Sequence, residues 1–134
     1  MSRILRGLNV CTAGISGVVA LALNKLVLDK VANGPGFESY VLGMALAIAL
    51  LCASGYFIGL LHGWSFGPQA AGSTMWAATT PVGLILLLAT LATWLLAAPM
   101  LLGGLAFPWL TFHGVKHGAR LPGACKYLRG AGEV

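Results

Sequence analysis

The chain has 134 residues, and its eight Lys and Arg residues outnumber three Asp and Glu residues, giving a formal net charge of +5. From Ser39 to Val115 there is no Asp, Glu, Lys or Arg. This excludes a soluble domain, which would need charges on its solvated faces, and predicts an all-α integral membrane protein, a bundle of transmembrane helices. The three cysteines, Cys11, Cys52 and Cys125, have no CxxC spacing, so neither a disulfide framework nor a zinc site is indicated.

The basic residues lie at the two ends of the chain and in the first loop. This distribution indicates that the basic residues set the orientation of the chain in the membrane and contact phospholipid head groups. It argues against nucleic-acid binding, which needs a basic surface on a folded module. The two ends, residues 1–9 and 118–134, are each too short to bury a core. Residues 1–134 are therefore predicted to form a single membrane domain.

The first half of the chain predicts two helices joined by a short turn. The first helix is predicted over residues 8–27, with Lys25, Asp29 and Lys30 at its end, where their side chains can reach the interface. Residues 33–36, with the sequence Asn-Gly-Pro-Gly, are typical of a turn. The second helix is predicted over residues 40–63.

Glycines recur every four residues near the end of the second predicted helix, at Gly55, Gly59, Gly63 and Gly67. In lipid there is no hydrophobic force that brings helices together, so association depends on close approach of their backbones, which small residues allow. We interpret Gly55, Gly59 and Gly63 as a helix-packing or cofactor-contact face. The alternative is that the repeat only reflects a composition with 19 glycines.

A second uncharged interval, residues 75–112, is too long for one crossing, because a single helix of that length would span about 57 Å. One interpretation is a long helix over residues 76–112, kinked at Pro99 and Pro108, which gives three transmembrane helices. The other is a hairpin turning near residues 99–104, which gives four. We favour three, with residues 65–80 as a loop, because residues 97–102 are too apolar for a turn that has to meet head groups.

The distribution of Lys and Arg does not decide between three and four crossings, because most of the cations lie on one side in both cases. Either count predicts that the C-terminus faces the positive side, which corresponds to the cytoplasm or the mitochondrial matrix. With three crossings, His62 and His113 would lie on opposite sides of the bilayer.

No catalytic constellation is visible, since the three acids lie at the membrane edges and no Ser/His/Asp or Cys/His group can be drawn from the spacing. The chain is therefore predicted not to be an enzyme by itself. His113 and His117 share one helical face, but a metal site needs three or four protein ligands, so no metal is predicted. Instead of binding a cofactor, each histidine could be an interfacial residue that hydrogen-bonds head groups or backbone. A functional role within the membrane is indicated most for His62.

The C-terminal part of the uncharged interval contains Phe107-Pro108 and then His113-Gly114-Val115-Lys116-His117, with Leu121 following. This pattern resembles the end of the haem-bearing helix in the large cytochrome b anchor subunit of succinate dehydrogenase, respiratory complex II. That family has Phe-Pro, a histidine, then Gly-Ile/Val-Arg-His and a leucine. Two further features are similar to that family and follow in the same order. They are Ser16-Gly17 within the first helix and residues 37–40 at the entry to the second helix.

The resemblance implies a divergent membrane anchor in the mitochondrial or bacterial inner membrane, with haem b and ubiquinone shared with a partner subunit. It implies that a haem or quinone pocket lies near His113, Lys116, His117 and Arg120, and that the other membrane and soluble subunits of the complex are the partners. The alternative function is a structural accessory subunit of another respiratory or photosynthetic complex, which binds phospholipids and neighbouring helices without a cofactor. A small transporter is less favoured, because no charged residue lies within the membrane to couple ions.

Overall fold

The structure, a computed structural model, describes residues 2–31 and 36–124. These residues form helices α1 (Arg3–Val31), α2 (Phe37–Phe66), α3 (Ala71–Ala92) and α4 (Met100–Gly118), with a short 3-10 turn at Pro68–Ala70. The described part of the chain contains no β-strand, so the all-α prediction is confirmed. The predicted helices 8–27 and 40–63 lie within α1 and α2.

Three of the helical segments are long and apolar enough to cross a membrane: Arg3–Lys30, Phe37–Phe66 and Pro68–Ala92. The remaining helix, α4, has 19 residues and is about 28 Å long at 1.5 Å per residue, close to the thickness of a hydrocarbon core. Trp76 near the start of α3 and Trp94 just after its end are 69% and 91% exposed. Exposed tryptophans near both ends of a helix are typical of the two membrane interfaces.

The four helices form a bundle in which successive helices run in opposite directions. Gly55 faces Phe107 and Gly63 faces Val115, so α2 and α4 are parallel. Asn9 bonds Ser73, near the starts of α1 and α3, and these two helices are parallel as well. The start of α1 and the end of α4 therefore lie at the same end of the bundle, which we call the terminal end.

The interval predicted as one kinked helix over residues 76–112 is divided between α3 and α4, so that prediction is wrong and the hairpin alternative is the one observed. The chain reverses over residues 93–99, earlier than the predicted turn near residues 99–104, which are mostly helical, and Pro99 precedes the first residue of α4 instead of bending a continuous helix. Proline suits a helix start, because its fixed φ is already helical and it lacks the N–H that would be unpaired there.

The apolar turn is possible because it satisfies most of its own backbone N–H groups. The Thr93 hydroxyl accepts a hydrogen bond from the Ala97 N–H, and the Tyr40 hydroxyl of α2 donates to the Leu96 carbonyl. Backbone N–H groups with a carbonyl partner in the hairpin are those of Thr93, Leu95, Leu96, Ala98 and Met100. With most of its N–H groups paired in this way, the turn depends little on head groups or water. The three-helix prediction assumed that such a turn has to meet head groups.

Helix α3 begins at Ala71, earlier than the predicted residue 76, and most of the predicted loop over residues 65–80 is helical. The cause is a contact that sequence patterning does not show. Ser73 and Thr74, which are typical of a loop, both hydrogen-bond the side chain of Asn9 in α1. Their polar groups are satisfied inside the bundle, so the helix continues through them.

Candidate functional site

The glycine face of α2 is in direct contact with the backbone of α4. A Cβ on Gly59 would lie 2.9 Å from the Gly114 Cα, and a Cβ on Gly63 would lie 2.7 Å from the Val115 carbonyl carbon. Contacts this short leave no room for a side chain. Gly55 instead faces the ring of the fully buried Phe107, with its Cβ position 2.8 Å from Cδ2. The glycines predicted as a packing face therefore lie against α4.

Helix α4 contributes glycines of its own to this contact. A Cβ on Gly118 would lie 2.9 Å from the Leu60 carbonyl carbon, and a Cβ on Gly114 would overlap the Tyr56 carbonyl oxygen and lie 3.1 Å from the Gly59 Cα. The sequence analysis missed Gly114 and Gly118, although their four-residue spacing was the available signal. Because backbone meets backbone here, no flat cofactor fits between α2 and α4 at this level.

Gly67, the fourth glycine of the repeat, has a different role. It ends α2 with a φ of 86°, and its N–H donates to the Gly63 carbonyl at 2.9 Å. Glycine is the residue that adopts this left-handed conformation with little strain. It permits the sharp connection that returns the chain to α3.

His62 is 6% exposed and hydrogen-bonded at both ring nitrogens. Its Nδ1 lies 2.8 Å from the Ile58 carbonyl oxygen one turn earlier in α2, which can only accept, so Nδ1 carries the proton. Its Nε2 lies 3.1 Å from the Thr12 hydroxyl of α1. The imidazole thus contacts α1 through a hydroxyl whose single proton the Leu8 carbonyl of α1, at 2.8 Å, also accepts.

A second polar link joins α1 to α3 at the same level. Asn9 is fully buried; its amide Nδ2 donates to the Ser73 hydroxyl at 2.9 Å, and its Oδ1 accepts from the Thr74 hydroxyl at 3.0 Å. The sequence analysis did not select Asn9. The signal that could have found it is an amide side chain inside an apolar segment, which needs partners when buried in lipid.

His117, near the end of α4, forms a pair with Tyr56 of α2. The tyrosine hydroxyl lies 2.8 Å from Nδ1 of the imidazole, and the two rings meet edge to face with centroids 5.9 Å apart. The glycine contact between the helices brings these side chains together, and His117 itself remains exposed. Tyr56 was not selected from the sequence.

His113 lies on α4 against aromatic side chains instead of a second ligand. Its ring is 4.4 Å from that of Trp109, edge to face, and it also contacts the ring of Phe112. The Lys116 ammonium lies 4.5 Å from the centroid of the same Phe112 ring, a cation–π contact. Arg120 is exposed just beyond α4.

The structure brings His62, His113 and His117 to the same end of the bundle, because α2 and α4 are parallel. The expectation that His62 and His113 lie on opposite sides of the bilayer depended on three crossings and is wrong. The predicted residues of the haem or quinone pocket share the terminal end with Tyr56. Among residues 2–31 and 36–124, no group of three or more His, Cys, Asp or Glu side chains could hold a metal ion.

No family model, no curated protein and no solved structure matches this chain.

Proposed function

We propose that this chain is a non-catalytic, multi-pass membrane subunit of a respiratory complex, of the kind that anchors the catalytic subunits of succinate dehydrogenase. The observation that supports this is the hydrogen-bonded pair of Tyr56 and His117, which joins α2 to the last turn of α4. A phenol, an imidazole and the adjacent Lys116 offer donors that suit a carbonyl or an anionic group at a membrane exit.

Haem and quinone fit this end of the bundle differently. A haem ligated by two histidines of this chain does not fit, because α2 and α4 touch through Gly59 and Gly114 and His62 is buried with its Nδ1 against the Ile58 carbonyl. Any haem b would lie between this chain and a partner subunit, with His113 at its edge. No step is therefore assigned to haem.

A quinone fits better, because it needs only hydrogen-bond donors to its carbonyl oxygens and an apolar path for its ring. Ubiquinone, when bound, would be the electron acceptor of the complex. Tyr56 would orient one carbonyl: with its Nδ1 protonated, His117 would donate to the tyrosine oxygen at 2.8 Å, which leaves the tyrosine proton for the carbonyl. Lys116 and Arg120 would attract phospholipid phosphates or acidic surfaces of soluble subunits to the same side.

The cations of the chain support one orientation. Arg3 and Arg6 at the start of α1 and Lys116 and Arg120 at the end of α4 share the terminal end. The positive-inside rule assigns such an end to the cytoplasmic or matrix side of the inner membrane. The catalytic subunits that this anchor would hold lie on that side.

A second candidate is a structural accessory subunit of another respiratory or photosynthetic complex. One observation favours it: the contacts inside the bundle are made by the chain itself, since glycines join α2 to α4 and the polar side chains of Asn9 and His62 are bonded within the chain. In that case His113, Lys116 and Arg120 would contact only lipid head groups and neighbouring helices.

Native gel electrophoresis of mild-detergent membranes, with mass spectrometry of the proteins that co-migrate with a tagged chain, separates the two. Co-migration with the flavoprotein and iron–sulfur subunits of succinate dehydrogenase is expected. Co-migration with a different complex would support the accessory subunit, and migration of the chain alone would contradict both.

Activity then tests the Tyr56–His117 pair within an assembled complex. Tyr56→Phe is expected to lower quinone reduction about tenfold, the effect of one lost hydrogen bond to a bound carbonyl, while assembly persists. Thr80→Ala is a matched control, because its hydroxyl donates only to the Trp76 carbonyl of its own helix. Unchanged quinone reduction in Tyr56→Phe, together with an unchanged haem spectrum in His113→Ala, would leave only the accessory function.

A further inference from the structure

An apolar groove runs between α1 and α2 on the face that is not covered by α3 or α4. Residues 15–23 of α1 line one side of it and residues 53–58 of α2 line the other, around a volume of about 450 Å³. Val19, Leu23 and Phe57 line it and are about half exposed, so the groove opens toward the surrounding lipid.

The chemistry of the lining excludes most polar ligands. The only two hydroxyl groups in it, those of Ser16 and Ser54, each donate to a backbone carbonyl one turn earlier in their own helix, at 2.7 and 2.8 Å. No charged side chain lines the groove. An occupant therefore gains contact with carbon atoms and little else, which suits a hydrocarbon chain.

The dimensions indicate one acyl chain and not a transmembrane helix of a partner. The α1 side, from Ile15 to Leu23, is about 12 Å long at 1.5 Å per residue, whereas the hydrocarbon core is about 30 Å thick and one leaflet is about half of that. A partner helix would contact α1 and α2 over a full crossing. The volume corresponds to about fifteen groups of the size of a water molecule, about 30 Å³ each, which is the scale of one lipid chain.

One cation lies in register with this groove. Lys30 lies about three helical turns after Val19, at 3.6 residues per turn, so the two residues are on nearly the same face of α1. It is exposed at the end opposite to the terminal end. Its ammonium can reach the interface and meet a phosphate there. Lys25, by contrast, is turned toward Asp29 at 3.9 Å.

We propose that the α1–α2 groove is a binding site for a single phospholipid, with one acyl chain between Val19 and Phe57 and its phosphate at Lys30. The lipid belongs to the leaflet on the side of the first loop. It covers the junction between α1 and α2, where none of the residues that line the groove is a glycine. The proposal does not depend on which complex contains the chain.

The test uses the full chain in vesicles of phosphatidylcholine and phosphatidylglycerol that contain a trace of phospholipid with a diazirine near the end of one acyl chain. After irradiation, mass spectrometry is expected to find cross-links concentrated at Val19, Leu23 and Phe57. Ala53→Leu fills the groove and is expected to reduce these cross-links about tenfold. Ala45→Leu, at an exposed position of α2 outside the groove, is the matched control and should leave them unchanged.

Lys30→Gln provides a second variant that leaves the groove intact. It is expected to weaken the cross-linking yield at Val19 while the unfolding midpoint of the bundle stays the same. Equal cross-linking in the wild type, Ala53→Leu and Ala45→Leu would mean that only bulk lipid contacts this face, and the proposal would be overturned. Cross-links from a photoreactive residue at Val19 to another membrane protein would assign the groove to a partner helix and would also overturn it.

Discussion

The two sides of α2 show two different ways of holding helices together in lipid. On one side α2 meets α4 through glycines, and the backbones themselves are in contact at Gly59 and Gly63. On the other side α2 meets α1 through the His62–Thr12 hydrogen bond near one end, with an open groove beyond it. Close backbone contact gives dispersion attraction between many atoms, whereas a hydrogen bond holds two helices together at a single point.

The difference has a consequence for where function can lie. A glycine contact leaves no space for a ligand, so the α2–α4 junction can only present side chains at its edge, as Tyr56 and His117 are presented. The looser α1–α2 junction can admit a molecule between its helices. The comparison therefore predicts that variants at the first junction affect folding, and that variants at the second mainly affect what is bound.

The largest expected effect concerns the direction of α4, on which the comparison depends. In a background with Cys11, Cys52 and Cys125 replaced by alanine, a cysteine at Ser2 and one at Arg120 should be labelled by an impermeant thiol reagent from the same side. A cysteine at Asp29 should be labelled only from the other side. The effect is all or none, because the parallel arrangement of α2 and α4 places Ser2 and Arg120 at the terminal end and Asp29 at the opposite end.

Labelling of the Ser2 and Arg120 positions from opposite sides would contradict the hairpin. It would restore the single kinked helix over residues 76–112 and would separate His62 from His113 again.

The next largest effect is that of a side chain placed between α2 and α4. Gly59→Leu would force its side chain into Thr111 and Gly114, and it is expected to destabilise the bundle by about 3 kcal/mol or more. The thermal unfolding midpoint in detergent, followed by circular dichroism, measures this. In the native membrane the chain should still insert but should be lost from its complex on native gels.

Gly83→Leu is the matched control for this substitution. A Cβ at Gly83 in α3 has no heavy atom within 4 Å, so its side chain points into open space and the unfolding midpoint should change little. Equal destabilisation by the two variants would show that the loss does not come from the contact with α4.

The parts of this architecture that the sequence predicts are those that depend on local composition and spacing. The uncharged interval from Ser39 to Val115 requires lipid as the solvent, and the helices follow because only intrahelical bonds satisfy a backbone there. The spacing of Gly55, Gly59 and Gly63 identifies the face that meets α4.

The turn over residues 93–99 could not be predicted, because it contains none of the usual turn residues before Pro99. Trp94 and Leu95 reverse the chain with φ values of 53° and 68°, a conformation that bulky residues rarely adopt. The turn is stabilised by two hydroxyl groups, those of Thr93 and of Tyr40 in α2, which supply hydrogen bonds that water would supply elsewhere.

The polar network at the terminal end was missed for a related reason. Ser73 and Thr74 are typical of a loop when taken with their sequence neighbours alone, and only the distant Asn9 makes them part of a helix. The shared position of the three histidines likewise follows from the number of crossings, which the distribution of Lys and Arg does not decide.

A moderate effect is expected when the link between α1 and α3 is removed. Asn9→Leu leaves the hydroxyl groups of Ser73 and Thr74 without their partner, although each can bond its own helix instead. We expect a loss of about 1–2 kcal/mol, the upper range for hydrogen bonds between helices in membranes, measured by the same thermal unfolding. Ser54→Ala is the control, because its hydroxyl bonds only the Leu50 carbonyl. A change in Asn9→Leu no greater than in Ser54→Ala would show that the network adds nothing to stability.

The smallest effect is expected at the Tyr56–His117 pair, although its 2.8 Å separation is as short as that of any bond in the buried network. His117 is exposed, so water and head groups can replace the tyrosine hydroxyl when it is lost, and the glycine contact keeps α2 and α4 together without it. A double-mutant cycle of Tyr56→Phe and His117→Ala should therefore give a coupling energy below about 0.5 kcal/mol. The corresponding cycle of Asn9→Leu and Thr74→Val should exceed it. A Tyr56–His117 coupling as large as the Asn9–Thr74 coupling would mean that the pair holds the helices together, and it would remove the reason to regard these two side chains as available to a ligand.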